Sequence, residues 1–467
     1  MKQRILPLLL AMALSACSLT PALTKPEPPV PAHYPLAQDT DKHADVAHLD
    51  WRTLFPDPRL QRLVELTLAN NRDLRLAVLN VEALQAQYGV QRAAQLPGVD
   101  AIPGVTRQRS DSAGAGATTG SQYSLELGIN AFEADLFGRA RSLSDAALER
   151  YLASEQGQKA ARVTLVGAVA DAHHAEMLAL EQLQLAQHTL SDWQQSLTLA
   201  RSLKVANQNS GLDVSQAEGQ VASAEADLEA RTRALAQARN ALQLLLGVAI
   251  PDDLPTAQLL DELPRPVLPA GLPSDLLIRR PDILQAEHNL RAANADIGAA
   301  RAAFFPRLSL TTLLGYSSSE MRTLFDSGSQ VWSFAPQLTV PIFSAGRLRS
   351  ELRLAEVRKS SAVAEYERAI QTAFREVSDG LAGRETYGRQ IEAQQRVADS
   401  AARRLELSNL RYRAGIEGRL ELLDAQRQLY AARQALLDLR SAELSNAVAL
   451  YKALGGGVPP AERHLAE

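Results

Sequence analysis

The chain has 467 residues, of which 46% are hydrophobic, 22% charged and 5% aromatic, with a formal net charge of -4. That length can bury a sizeable core, and charges of both signs spread without long blocks leave no basic stripe for nucleic acid and no acidic tail. Cys17 is the only cysteine, which excludes a disulfide framework.

The first residues, Met1-Lys-Gln-Arg4, precede an apolar run from Ile5 to Leu14. A basic start and an apolar run too short to span a bilayer mark an export signal, residues 1–16. The run ends in Leu14-Ser-Ala-Cys17, which resembles the bacterial lipobox. That resemblance implies cleavage before Cys17, a covalent lipid of the palmitate type on it and, because Ser18 rather than an aspartate follows, an outer-membrane destination. Each buried CH₂ of such an anchor contributes roughly 0.8 kcal/mol. Residues 17–56 are proline-rich at their start and read as an extended tether.

From Asp57 the apolar spacing predicts a helix running to about Ala94, ended by Pro97. Residues 99–110 read as a strand, 111–120 as a loop rich in Gly, Ala, Ser and Thr, and 124–131 as a second strand. In that second strand Leu125, Leu127, Ile129 and Ala131 share one face. A proline-free run from Arg139 to Val205 predicts one helix on the order of 100 Å long, which must pack beside others of its kind. Asn207-Gln-Asn-Ser-Gly211 turns the chain back into a shorter helix, 212–246. A proline-rich linker, 251–273, follows.

The second half repeats the first. Leu212-Asp213 answers Leu420-Glu421, and Leu246-Gly247 answers Leu454-Gly455, each at an offset of 208. Repeat 1 is therefore placed at 57–250, with its strand pair near 98–132, and repeat 2 at 274–457, with its pair near 306–343; residues 458–467 form a tail. In repeat 2 Leu308, Leu310, Thr312, Leu314 and Tyr316 share a strand face. Trp332, Phe334, Leu338, Val340 and Ile342 share another, with Pro336 expected to bend that strand. A second long helix is expected from Leu348 to Tyr412. Four half-apolar strands in an exported chain are either a soluble sandwich or barrel staves; as staves they must close with other copies, since open strand edges are costly in lipid.

Trp51-Arg-Thr-Leu-Phe-Pro-Asp-Pro-Arg-Leu60, Phe132-Glu-Ala-Asp-Leu-Phe-Gly-Arg139, Leu272-Pro-Ser-Asp-Leu-Leu-Ile-Arg-Arg-Pro-Asp282, Gly298-Ala-Ala-Arg-Ala-Ala-Phe-Phe-Pro306 and Leu450-Tyr-Lys-Ala-Leu-Gly-Gly-Gly457 resemble the outer-membrane factors of tripartite efflux pumps. Within that TolC-like class the likeness is to the NodT-type, OprM-like lipoproteins, and it covers nearly the whole chain from Cys17. It implies a mainly α fold with a membrane β-barrel: a homotrimer whose twelve strands close in the outer membrane over a periplasmic helical tunnel. It also implies a periplasmic adaptor of the membrane-fusion type, an inner-membrane RND-type transporter, contact with outer-membrane lipid and a role in multidrug resistance.

By the same resemblance the tunnel closes where the long helices turn back. Asp213 resembles the acceptor held by a neighbouring copy's Tyr412 and an arginine of that tip, which begins at Arg411 and whose arginine nearest the turn is Arg419; which arginine is the latch is left open. Leu420, Asp424 and Arg427 fall on one helix face and resemble the rings that narrow the aperture, with Glu421 beside them. Asp213 also suits a helix N-cap. No phosphate loop, His-Glu-x-x-His or cysteine cluster appears, so neither a catalytic residue, a metal site nor a cofactor beyond the lipid on Cys17 is expected. His173 and His174, adjacent in the long helix, face different directions and read as surface or seam residues rather than metal ligands. The competing readings are a type I protein-secretion duct and a periplasmic scaffold that forms no pore.

Overall fold

The computed structural model describes residues 19–31, 34, 51–112, 116–208, 210–263 and 279–456. The signal segment, Cys17, the second part of the proline-rich linker and the C-terminal tail lie outside the described residues. The chain divides into two units, one of residues 1–27, 79–155 and 284–368, the other of 28–78, 156–283 and 369–467.

In the first unit β1 (Asp100–Ser112), β2 (Gly116–Ala134), β3 (Arg307–Ser318) and β4 (Gln330–Thr339) form one antiparallel sheet in the order β1-β2-β3-β4. The register aligns Ala101, Leu127, Leu314 and Trp332 across the four strands. Side chains alternate along a strand, so the same face collects Leu125, Tyr316, Phe334 and Leu338. Trp332 is 77% exposed and Leu127 57%. The opposite face carries Glu126, Ser124, Ser333 and Gln337. A sheet that is apolar and bare on one side and polar on the other is a set of barrel staves, because a soluble sandwich would cover the apolar side.

Three strand features depart from the sequence expectation. The expected loop 111–120 is mostly strand, since its small polar residues are compatible with pleated backbone near an aqueous end. Ala131 does not continue the face begun by Leu125: the register shifts between Ile129 and Phe132, and Ala131 has a φ of 52°. That is a bulge of two residues against one, held by the Ala131 N–H donating to Thr311 Oγ1 at 3.2 Å, and it sets Phe132 opposite Leu310. Pro336 stays in the ladder opposite Leu310; β4 is an edge strand, where a missing N–H is tolerated, and the other edge strand, β1, carries Pro103.

In the second unit α1 (Trp51–Leu54) and α2 (Pro58–Asn70) lead into α3 (Arg72–Ala93), which crosses into the first unit. The single helix expected over 57–94 is thus broken at Asn71, whose ψ of 132° is extended. Its Oδ1 accepts from Leu74 N at 2.9 Å, starting α3, and its Nδ2 donates to Leu245 O at 2.9 Å.

The long helices are α4 (Arg139–Val205) and α7 (Arg347–Arg413), of 67 residues each, and their returns are α5 (Gly211–Leu246) and α8 (Arg419–Ala453). Helix α6 (Pro281–Ala302) precedes β3. Trp193, Leu197 and Ala200 of α4 pack on Val214, Ala217, Val221 and Ala224 of α5 at spacings of three and four. The duplication shows in the backbone as well as the sequence. Left-handed residues recur in pairs 208 apart: Gly138 with Gly346, Asn207 with Gly415, and Gly247 with Gly455, all with φ between 56° and 87°.

Candidate functional site

The two turns that reverse the long helices lie in the second unit. After α4, Asn207 enters the left-handed region and Gln208 N bonds back to Leu203 O at 2.9 Å. After α7, Gly415 does the same and Ile416 N bonds to Arg411 O at 3.0 Å. Each pattern satisfies carbonyls that the helix end leaves unpaired.

Helix α5 starts with a capping box. Ser210 is the N-cap: its Oγ accepts from Asp213 N at 3.2 Å, and the Asp213 carboxylate accepts from Ser210 N at 3.0 Å and from Ser210 Oγ at 2.6 Å. Asp213 is therefore not the cap itself but its reciprocal partner. Helix α8 starts at Gly418 without a side-chain cap.

The second tip holds its charges in local pairs. Arg411 Nε lies 3.6 Å from Glu417. Arg419 is buried, its guanidinium 5.6 Å from the buried Tyr412 ring and its Nη1 donating to Ser196 O at 3.3 Å. Asp424 accepts from Arg404 Nη2 at 2.8 Å and from Gln428 Nε2 at 3.0 Å. Leu420 is 60% exposed, and Glu421 and Arg427 are exposed beside it. The adjoining Ile416, Leu212 and Val205 are bare too. The structure therefore joins Tyr412 with Arg419 but leaves Asp213 in its own capping box. Sequence reading missed Ser210, Arg404, Gln428 and Ser196. The first had a signal, since Ser-x-x-Asp ahead of a helix is a capping pattern; the others meet only through the fold.

The second tip offers an exposed leucine and a carboxylate one turn apart on α8, on a helix whose tip is anchored by Arg419.

A family model described as outer membrane efflux protein matches residues 63–248 and 272–456, one segment in each half. The probable efflux pump outer membrane protein TtgC of Pseudomonas putida is 46% identical over 456 residues, covering 96% of this chain and 94% of TtgC. A crystal structure of a membrane protein from Pseudomonas aeruginosa superposes with a TM-score of 0.86 at 44% identity, covering 94% of this chain and all of that one. The open-state structure of the MtrE outer membrane channel from Neisseria gonorrhoeae gives a TM-score of 0.85 at 38% identity, covering 95% of this chain and 99% of MtrE.

Proposed function

Because the chain belongs to the outer membrane efflux protein family, we propose that it is the outer-membrane exit duct of a tripartite efflux pump. It is a passive, gated channel that passes small toxic compounds from the periplasm to the exterior. The observation that carries this reading is the four-stranded sheet with one bare apolar face and two open edges. Unpaired strand edges cost several kcal/mol per group in hydrocarbon, so β1 of one copy pairs with β4 of the next until the sheet closes. Two copies would give eight strands and an interior filled by side chains; three give twelve and leave a lumen. A homotrimer follows, with the long helices continuing the duct into the periplasm.

Among the described residues no helix is long and apolar enough to cross a membrane. The sheet is the spanning element, and a lipid on Cys17 adds an anchor. The tips, with Leu420 and Asp424 facing the axis and Asp213, Tyr412 and the tip arginines crossing between copies, form the periplasmic gate. A ring of leucines there dewets, and a ring of carboxylates resists anions. Energy comes from partners: an inner-membrane RND-type transporter, with a periplasmic adaptor meeting the tips.

Native mass of the detergent-extracted protein followed by single-channel recording tests this. Trimers that conduct in brief, small openings are expected. Folded protein that is monomeric and never conducts would overturn the duct in favour of a scaffold.

A further inference from the structure

Above the tips, six side chains from three helices form a continuous polar circuit within the second unit that begins and ends on α8. On α8, Gln434 Nε2 donates to the Tyr430 hydroxyl at 2.9 Å, and Tyr430 donates to Asp227 Oδ2 on α5. Arg231, one turn along α5, donates from Nε to the other Asp227 oxygen at 3.3 Å and from Nη1 to Gln182 Oε1 on α4 at 2.8 Å. Gln182 Nε2 then donates to Asp438 Oδ1 at 2.7 Å, one turn beyond Gln434, so the circuit returns to the helix it left. Trp193 of α4 meets the Tyr430 ring edge-on at 6.2 Å. Gln182 and Gln434 are buried, and burial together with the Asp227 carboxylate pushes the Tyr430 phenol up to about 12, so it remains a donor at any physiological pH.

Helix packing does not demand these residues. At the equivalent positions of the other repeat, 208 away, stand Ala222 for Tyr430, Ala226 for Gln434, Ala230 for Asp438, Ala435 for Asp227 and Leu439 for Arg231, while Gln182 is answered by Gln390. The same helical framework is thus built at this level with small or apolar side chains at five of the six positions in one set and a directional polar network in the other. Such a network, buried at Gln182 and Gln434 and half-buried at Tyr430, Asp227 and Arg231, contributes less to net stability than to holding one arrangement, because each bond tolerates little displacement. The network is also not saturated: Gln434 Oε1 is buried without a hydrogen-bond partner among the described residues, a cost that lowers the network's net contribution to stability.

We infer that the Tyr430–Asp227 circuit is an intrasubunit lock on the gate, fixing α8 against α4 and α5 and so holding Leu420 and Asp424 in the closed position. Tyr430 lies on the same helix as those two residues, about two to three turns farther from the tip. A shift of α8 that moves Leu420 outward must first break the bond from Tyr430 to Asp227. Tyr430 and Asp227 are positioning residues, acting through the gate side chains without lining the aperture. The inference rests on the gated-duct reading.

Single-channel recording in planar bilayers of the full-length lipidated protein tests it, with wild type beside Tyr430→Phe, Asp227→Asn, their double variant and Gln182→Met. Tyr430→Phe keeps the ring against Trp193 and removes only the hydroxyl. Each single variant is expected to raise open probability about tenfold, the scale of one hydrogen bond to a charged group. The double variant should match Asp227→Asn, in which the bond from Tyr430 and the pairing with Arg231 are both already weakened, and the copy number and barrel should be unchanged. A lowered thermal midpoint with wild-type gating would mean a packing role alone and overturn the lock, as would additive effects in the double variant. A conducting wild type with unaltered variants removes the lock and leaves the duct. No conductance in any form removes both.

Discussion

His173 Nε2 lies 2.8 Å from Asp57 Oδ2, 116 positions earlier in the chain, and both groups are buried. Asp57 uses its other oxygen to cap α2, accepting from Arg59 N at 2.9 Å, so one carboxylate both starts that helix and fastens it to α4. Burial pushes the Asp57 carboxyl up, but the hydrogen bond and charge of His173 and the N–H groups of Arg59 and Leu60 outweigh it, leaving it below its usual value. The next residue, His174, is held down at about 3 by burial first and by the His173 charge second, against the pull of Asp57.

These shifts fix the acid response. The unfolded chain protonates His174 below about 6.5, whereas the folded protein does not until about 3, so stability drains as pH falls through that interval. The Asp57 contribution is present above 3.8 and is lost below it, as pH falls through its lowered folded value. The thermal midpoint is therefore expected to be flat above pH 7 and to decline from pH 6.5 downward. His174→Asn should make that decline shallower, although the substitution itself lowers the midpoint. Thermal unfolding between pH 4 and 8 checks this; an unchanged slope in the variant would assign the response to other groups.

Asn71 carries a second prediction. Its side chain caps α3 through Leu74 N and ties the α2–α3 corner to the end of α5 through Leu245 O. Asn71→Ala removes both and should cost about 1–3 kcal/mol, combining a lost cap with an unpaired carbonyl. Asn71→Ser keeps the cap alone and should recover roughly half of that loss. Equal midpoints for the two variants would show that the Leu245 bond dominates.

The break at Asn71 also marks where sequence reading ran out. The long helices were legible to within about a residue, since proline-free runs bounded by Asn207 and Gly415 leave a helix few other places to stop. The doubled architecture was legible for the same reason, because the offset of 208 recurs in residues and in left-handed turns alike. At Asn71 the apolar spacing continues across the break, and the local cap on Leu74 N is joined by a reach to Leu245, a contact 174 positions away that has no signal nearby in the chain. The bulge at Ala131 was hidden because alternation on one strand says nothing of how many residues its partner sets opposite. At the tips the residue types were visible, but Arg404 beside Asp424, and Ser196 under Arg419, belong to other helices and have no local signal.

The sheet supplies a third prediction. A Cβ on Gly315 of β3 would run into Leu125 O and, at 2.6 Å, Glu126 Cα of β2, both backbone atoms that the ladder holds in place. Gly315→Val should therefore block closure of the sheet, whereas Gly120→Val, which meets nothing within 4 Å, should assemble normally. Electrophoresis of unheated samples from outer-membrane fractions reads this directly. Oligomer from the Gly315 variant in wild-type amount would mean that β2 and β3 can separate without loss of the barrel.

The capping box gives the most discriminating prediction for the tips. Ser210 and Asp213 hold each other reciprocally, so as caps alone they are equivalent: Ser210→Ala and Asp213→Ala should each cost about 1 kcal/mol and leave conduction alike. A gate role breaks that equivalence, because only the carboxylate can be gripped by Tyr412 and an arginine of a neighbouring copy. Asp213→Ala should then open the channel far more than Ser210→Ala at equal loss of stability. Asp213→Asn separates the effects further, since it retains part of the cap and loses the charge. Paired recordings of the three variants decide the matter: matched conductances would confine Asp213 to starting α5, and a large excess for the two aspartate variants would place it in the gate.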